Sequence, residues 1–215
     1  MIERKQRRGF GSFEDIEISL LDGTIISSLF PEIKEITIQD IIKRTEYSYE
    51  RVNSSLKYLT DKEIVNEKKV GKTLVYSLNL QNINAKEGFN QYMLEREIEF
   101  KKKNGTIYLA IQEIKNNPFI WLLILFGSYS KGTETKQSDI DIICVSHNKK
   151  EAEYFIKSLK YNYNIDFASI VLSPNDFPNI KKDNPELWVN LKMYGLVFKG
   201  EEEFYYQMYK DEKQN

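Results

Sequence analysis

Two stretches decide how this chain reads: Trp121-Leu122-Leu123-Ile124-Leu125-Phe126-Gly127-Ser128 and, after ten further residues, Asp139-Ile140-Asp141-Ile142-Ile143-Cys144-Val145. The first apolar run predicts a buried strand that stops at a glycine and a hydroxyl residue. The second predicts another buried strand, opened by two carboxylates. Residues two apart on a strand share a face, so Asp139 and Asp141 are expected to point the same way. Paired carboxylates suit Mg²⁺, which takes oxygen ligands and binds through one or two carboxylates plus substrate phosphates. The Gly127-Ser128 turn suits the phosphates themselves. Glycine permits close backbone approach, and a helix opening at Ser128 offers free N–H groups to an anion. Lys131 places a cation near the same turn.

A third carboxylate would complete a two-ion site. Asp166 is the candidate, within the strand-like run Asn164-Ile165-Asp166-Phe167-Ala168-Ser169-Ile170-Val171, one crossover helix (residues 149–161) beyond Asp141. Two competing motifs fail. Gly127-x4-Gly132 mimics the start of a P-loop, but Thr133-Glu134 stands where Lys-Ser/Thr is required. An EF-hand loop needs further oxygen ligands and a glycine where Ile142-Ile143 stand.

Gly127-Ser128-Tyr129-Ser130-Lys131-Gly132 with Ser138-Asp139-Ile140-Asp141 resembles the minimal nucleotidyltransferases of the DNA polymerase β superfamily. The resemblance spans roughly the C-terminal half, and continues into Pro185-Glu186-Leu187-Trp188 and Leu196-Val197-Phe198-Lys199-Gly200. It implies catalytic and metal-binding roles for Asp139, Asp141 and Asp166. It implies nucleotide contacts for Gly127 and Ser128, with Lys131 added from its position. The implied cofactor is Mg²⁺, two ions, with Mn²⁺ as a substitute, and the implied substrate is an NTP, most simply ATP. The spacing resembles that of antitoxins which adenylylate a tyrosine of a partner HEPN-type toxin ribonuclease.

The whole chain sets bounds. A formal net charge of −1 provides no global drive toward nucleic acid, so such binding needs a local patch. His147 is the one histidine, which argues against a histidine zinc site or triad. Cys144 is the one cysteine, expected as a small buried hydrophobe with no disulfide framework. No apolar run approaches membrane-span length, and the basic start (Arg4, Lys5, Arg7, Arg8) lacks the apolar segment of a signal peptide. The expectation is a cytoplasmic protein without membrane contact.

The first half reads differently: three helices, then a two-stranded ribbon. Thr37-Ile38-Gln39-Asp40 fits a capping box, and Ile38, Ile41 and Ile42 mark one helical face. Ser48 is expected to cap a helix over residues 48–58, with Val52, Leu56 and Leu59 inward. Ile64-Val65-Asn66 and Leu74-Val75-Tyr76-Ser77 around Gly71 predict a hairpin. This order resembles a winged helix-turn-helix domain. The resemblance implies DNA contacts by Tyr49, Arg51, Asn53 and Lys57 on the second helix and by Lys68, Lys69 and Lys72 on the wing, with a homodimer matching a two-fold site. Between residues 40 and 80 eight bases face six acids, a weakly basic balance.

The expected fold class is therefore α+β in two domains. A basic tail (1–14) precedes a winged helix-turn-helix domain (15–80) and a connecting helix (81–105). A polymerase-β-like nucleotidyltransferase domain (106–215), a short mixed sheet flanked by helices, completes it. Thr106 is expected to cap that domain's first helix, and Phe204, Tyr205, Tyr206 and Tyr209 to mark a docking helix. The alternative function is a DNA-binding regulator whose transferase domain only senses nucleotide.

Overall fold

The computed structural model describes residues 17–31 and 34–210. The basic N-terminal tail lies outside the described residues. Helix α1 (Leu20–Ser28) leads to a two-residue strand β1 (Ile36–Thr37), α2 (Ile38–Thr45), α3 (Tyr49–Asp61) and a hairpin of β2 (Val65–Val70) and β3 (Thr73–Leu78). The Thr37–Asp40 capping box forms as the residues require, Thr37 N–H donating to Asp40 Oδ2 (2.9 Å) and Asp40 N–H to Thr37 Oγ1 (3.3 Å). Ser48 stands at the start of α3 but makes no side-chain cap, and α3 runs on to Asp61. Val52, Leu56 and Leu59 are buried. Gly71, at φ +61°, turns the hairpin where Val70 faces Thr73. The ribbon gains a third strand: β1 pairs antiparallel with β3, giving the order β1-β3-β2. Two residues carry too little pattern to announce a strand.

Helix α4 (Ile83–Lys103) follows as one unbroken element. Gly88 lies inside it, and the reason is packing: a Cβ there would sit 2.0 Å from Ile26 Cγ2 of α1. Glycine costs helix stability of roughly 1 kcal/mol relative to alanine, and close helix approach offsets it here. α4 is more than a spacer. Its Phe89 packs on Phe30 (ring centroids 5.5 Å), Phe204 (5.9 Å), Tyr205 (5.5 Å) and Tyr209 (5.6 Å). The C-terminal aromatics thus dock within the chain's own core.

Helix α5 (Gly105–Asn116) begins one residue before Thr106, so Asn104, not Thr106, takes the cap position. Then come β4 (Ile120–Phe126), α6 (Gly127–Lys131), β5 (Ile140–Ser146), α7 (Lys149–Tyr163) and β6 (Phe167–Leu172). Short α8 (Ile180–Asp183), α9 (Pro185–Tyr194), β7 (Leu196–Lys199), α10 (Glu201–Tyr205) and a π-helical turn (Tyr206–Lys210) finish the chain. The sheet order is β6-β5-β4-β7, with β5 and β6 parallel and the other pairs antiparallel. The apolar runs form the buried strands expected of them, and the sheet is mixed, as the resemblance implied. Leu122 to Leu125 and Ile142 to Val145 are fully buried, and burial pushes the Cys144 thiol up to about 12. Among the described residues, no helix is long and apolar enough to cross a membrane.

Candidate active site

The antiparallel register places Asp141 on β5 directly opposite Phe126, the last residue of β4. The chain turns there into α6 through Gly127, at φ +73°. A Cβ on Gly127 would meet Asp141 Oδ2 at 2.1 Å, so the missing side chain is what lets the turn close on the carboxylate. The ten-residue spacing between Ser128 and Asp139 now has a structural meaning. The first three of the ten complete α6, Gly132 ends it in the left-handed conformation, and a hydrogen-bonded loop returns the chain to β5. Thr133 N–H donates to Ser128 O (3.1 Å), and Thr135 N–H to Ser138 Oγ (2.9 Å).

Asp139 is exposed and Asp141 half-buried. Burial, and then the neighbouring Asp139 charge, raise the Asp141 carboxyl above its ordinary value. A carboxylate whose ionisation is opposed by burial and by a neighbouring charge is relieved by a divalent cation, so the oxygen donors of this pair fit Mg²⁺.

Asp166 is placed less simply. In the parallel pairing Phe167 faces Ile140 and Ala168 faces Asp141, so Asp166 leads into β6 as Asp139 leads into β5. Its carboxylate, however, is turned onto Lys160 Nζ at 2.6 Å. Among the described residues, no group of three His, Cys, Asp or Glu side chains stands ready to hold a metal. Lys131 also departs from expectation. Its ammonium donates to Asn190 Oδ1 (3.1 Å) and lies 4.8 Å from the centroid of the Tyr194 ring, so it braces α9.

One residue had no signal in the sequence. Arg96, on α4, donates to Ser130 O of α6 (2.9 Å), Tyr194 O (2.7 Å) and Gly195 O (2.6 Å). A lone arginine on a charged helix resembles any solvated cation until the tertiary fold shows its partners. Beside it, a cavity of about 210 Å³ is lined by Glu99, Phe100, Lys103, Tyr129, Lys131 and Glu134 among others.

The residues expected to contact DNA separate into groups. Tyr49, Asn53 and Lys57, four apart, follow one face of α3, with Tyr49 and Lys57 exposed. Arg51 lies off that face, 4.4 Å from the Tyr47 ring centroid, in a cavity shared with Ser19, Asp22 and Tyr58. Lys69 and Lys72 are exposed on the hairpin, while Lys68 pairs with Glu35 at 2.7 Å.

Similarity to known proteins falls on part of the chain. Residues 110–203 match the family model described as Polymerase beta, Nucleotidyltransferase. The chain is 29% identical over 84 residues to the Methanocaldococcus jannaschii protein named "Putative protein adenylyltransferase MJ1305", covering 35% of this chain. It spans 56% of the length of that curated relative. Among solved structures, a mutant of the toxin–antitoxin MntA-HpeT is 19% identical with a TM-score of 0.34, covering 49% of this chain and 81% of that one. A toxin–antitoxin with AMP-PNP is 22% identical with a TM-score of 0.33, covering 49% and 83%. The family match is confined to residues 110–203, somewhat under half of the chain, and the chain is similar to that family there.

Proposed function

We propose that this protein transfers a nucleoside monophosphate, AMP from ATP, to an acceptor hydroxyl and releases pyrophosphate. The observation that carries the reading is the contact of the Gly127 turn with Asp141, beside Asp139. It brings the glycine turn and a carboxylate to one point, with the Asp139 charge acting on the same carboxylate. Gly127 and Ser128 would orient the triphosphate, with Ser128 and the adjacent N–H groups facing the departing pyrophosphate. Asp139 and Asp141 would hold Mg²⁺, which when bound supplies neutralisation of the attacking and leaving oxygens. Asp166, released from Lys160, would accept the proton of the acceptor hydroxyl.

The acceptor we propose is a tyrosine of a partner protein, the HEPN-type toxin of the resemblance. The protein adenylyltransferase name of the M. jannaschii relative supports a protein acceptor. The N-terminal helices and three-stranded sheet fit a winged helix, and we assign DNA binding to Tyr49, Asn53, Lys57, Lys69 and Lys72, with a homodimer on a two-fold site. A second reading, nucleotide sensing without transfer, draws on the Lys160–Asp166 pair, which occupies the proposed base.

Transfer is tested with α-labelled ATP and Mg²⁺ in a lysate of the source cell, comparing wild type with the Asp139→Ala, Asp141→Ala double variant. A labelled band present only with wild type is expected, its mass identifying the acceptor. Label in both samples, or in neither with any of the four NTPs, would overturn the transferase reading.

A further inference from the structure

Helix α4 reaches α6, the helix that the Gly127-Ser128 turn opens, through Arg96. Arg96 is half-buried and grips three backbone carbonyls on two elements, Ser130 O at the end of α6 and Tyr194 O and Gly195 O at the end of α9. Helix-end carbonyls lack intrahelical partners and carry the negative end of the helix dipole, so a cation there is favoured. A guanidinium suits the task because its donors form a rigid fork, whereas an ammonium offers one compact centre. The grip continues toward the site. Ser130 Oγ donates to Gly127 O at 3.1 Å, and Gly127 is the residue whose α-carbon abuts Asp141. Behind it, Arg96 lies 5.4 Å from the Tyr92 ring centroid, and Tyr92 stacks on Phe30 of the N-terminal half (5.9 Å, 20°).

We propose that Arg96 is a positioning residue for nucleotide binding. It sets α6 against the end of α9 and so fixes the Gly127-Ser128 turn in the shape that receives the triphosphate. The proposal rests on the nucleotidyl-transfer reading of that turn. Arg96 touches no reacting atom; it acts through Ser130.

A role in bulk stability alone makes a different forecast. It would lower the fraction of folded, binding-competent protein and leave the affinity of that fraction intact. The deciding experiment titrates Mg·ATP into the full chain by calorimetry, for wild type, Arg96→Gln and Arg96→Lys, with thermal melts alongside. The Kd for Mg·ATP is expected to rise about tenfold in Arg96→Gln, the scale set by losing one charge-assisted hydrogen bond, and less in Arg96→Lys. Stoichiometry should stay near that of wild type. In the transfer assay KM for ATP should rise while KM for the acceptor holds.

Unchanged Kd in both variants, with only stoichiometry or melting temperature lowered, would overturn the assignment of Arg96 and leave the transferase reading standing. Absence of Mg·ATP binding by folded wild type would overturn both. Should Arg96→Gln fail to fold, Arg96→Lys decides alone: a Kd equal to wild type overturns the proposal.

Discussion

Gly127 and Asp141 occupy each other's space: the position a Gly127 side chain would take lies 2.1 Å from Asp141 Oδ2, and the Gly127 backbone sits at φ +73°. The turn and the carboxylate are therefore one unit. Gly127→Ala is expected to abolish labelling by α-labelled ATP. The positive φ adds about 1–3 kcal/mol of backbone strain, measurable as a lower melting temperature. Full activity in Gly127→Ala would separate the turn from the site.

Asp141 should make the metal-free protein less stable than it could be. Burial and the Asp139 charge raise its folded pKa, so the protonated form is the favoured one in the fold. Stability from this group is complete below the unfolded value, near 3.8, and is lost as pH rises through the raised folded value. Asp141→Asn should then melt higher than wild type at pH 7 without metal, the gap closing toward pH 3.8. Adding Mg²⁺ should raise the melting temperature of wild type and not of Asp141→Asn, while transfer by the variant is lost.

The Lys160–Asp166 pair is exposed on both sides, with 57% and 70% of the side-chain surface open. Solvent screens such exposed pairs, so Lys160→Met should leave the melting temperature nearly unchanged. If Asp166 must leave Lys160 to serve the reaction, Lys160→Met will keep or raise the transfer rate and Asp166→Ala will remove it. A large loss of rate in a stable Lys160→Met would assign the lysine itself to the site.

Thr37→Ala tests the local logic of the N-terminal half. Loss of the α2 cap should cost about 1 kcal/mol, read by chemical denaturation. Hydrogen bonds from Thr37 hold the Asp40 carboxyl below its ordinary 3.8. That contribution is present above 3.8 and fades as pH falls through the lowered folded value. The difference between wild type and Thr37→Ala should shrink accordingly in acid.

Gel shifts with upstream DNA test the winged-helix assignment. Lys69→Ala and Lys72→Ala are each expected to weaken binding across sequences and to reduce the salt slope by about 0.9. Equal shifts by wild type and the double variant at every salt concentration would sink the phosphate contacts.

By itself the sequence determined what depends on short-range pattern. Continuous apolar runs announced β4 and β5, a strand-like run announced β6, the Thr37–Asp40 spacing announced a capped α2, and Gly71 announced the hairpin. The same local logic led to the expectation that Asp139 and Asp141 share a face behind a glycine turn; in the fold Asp139 immediately precedes β5 and Asp141 lies within it. Tertiary structure decided what depends on contacts between distant residues. Arg96 meets Gly195 across 99 residues, and Lys131 reaches Asn190 across 59. No periodicity encodes such partners, since a long charged side chain is compatible with many environments until packing selects one. Gly88 carries the same lesson in reverse. Read along the chain it weakens a helix, and only the approach of Ile26 explains why nothing larger fits.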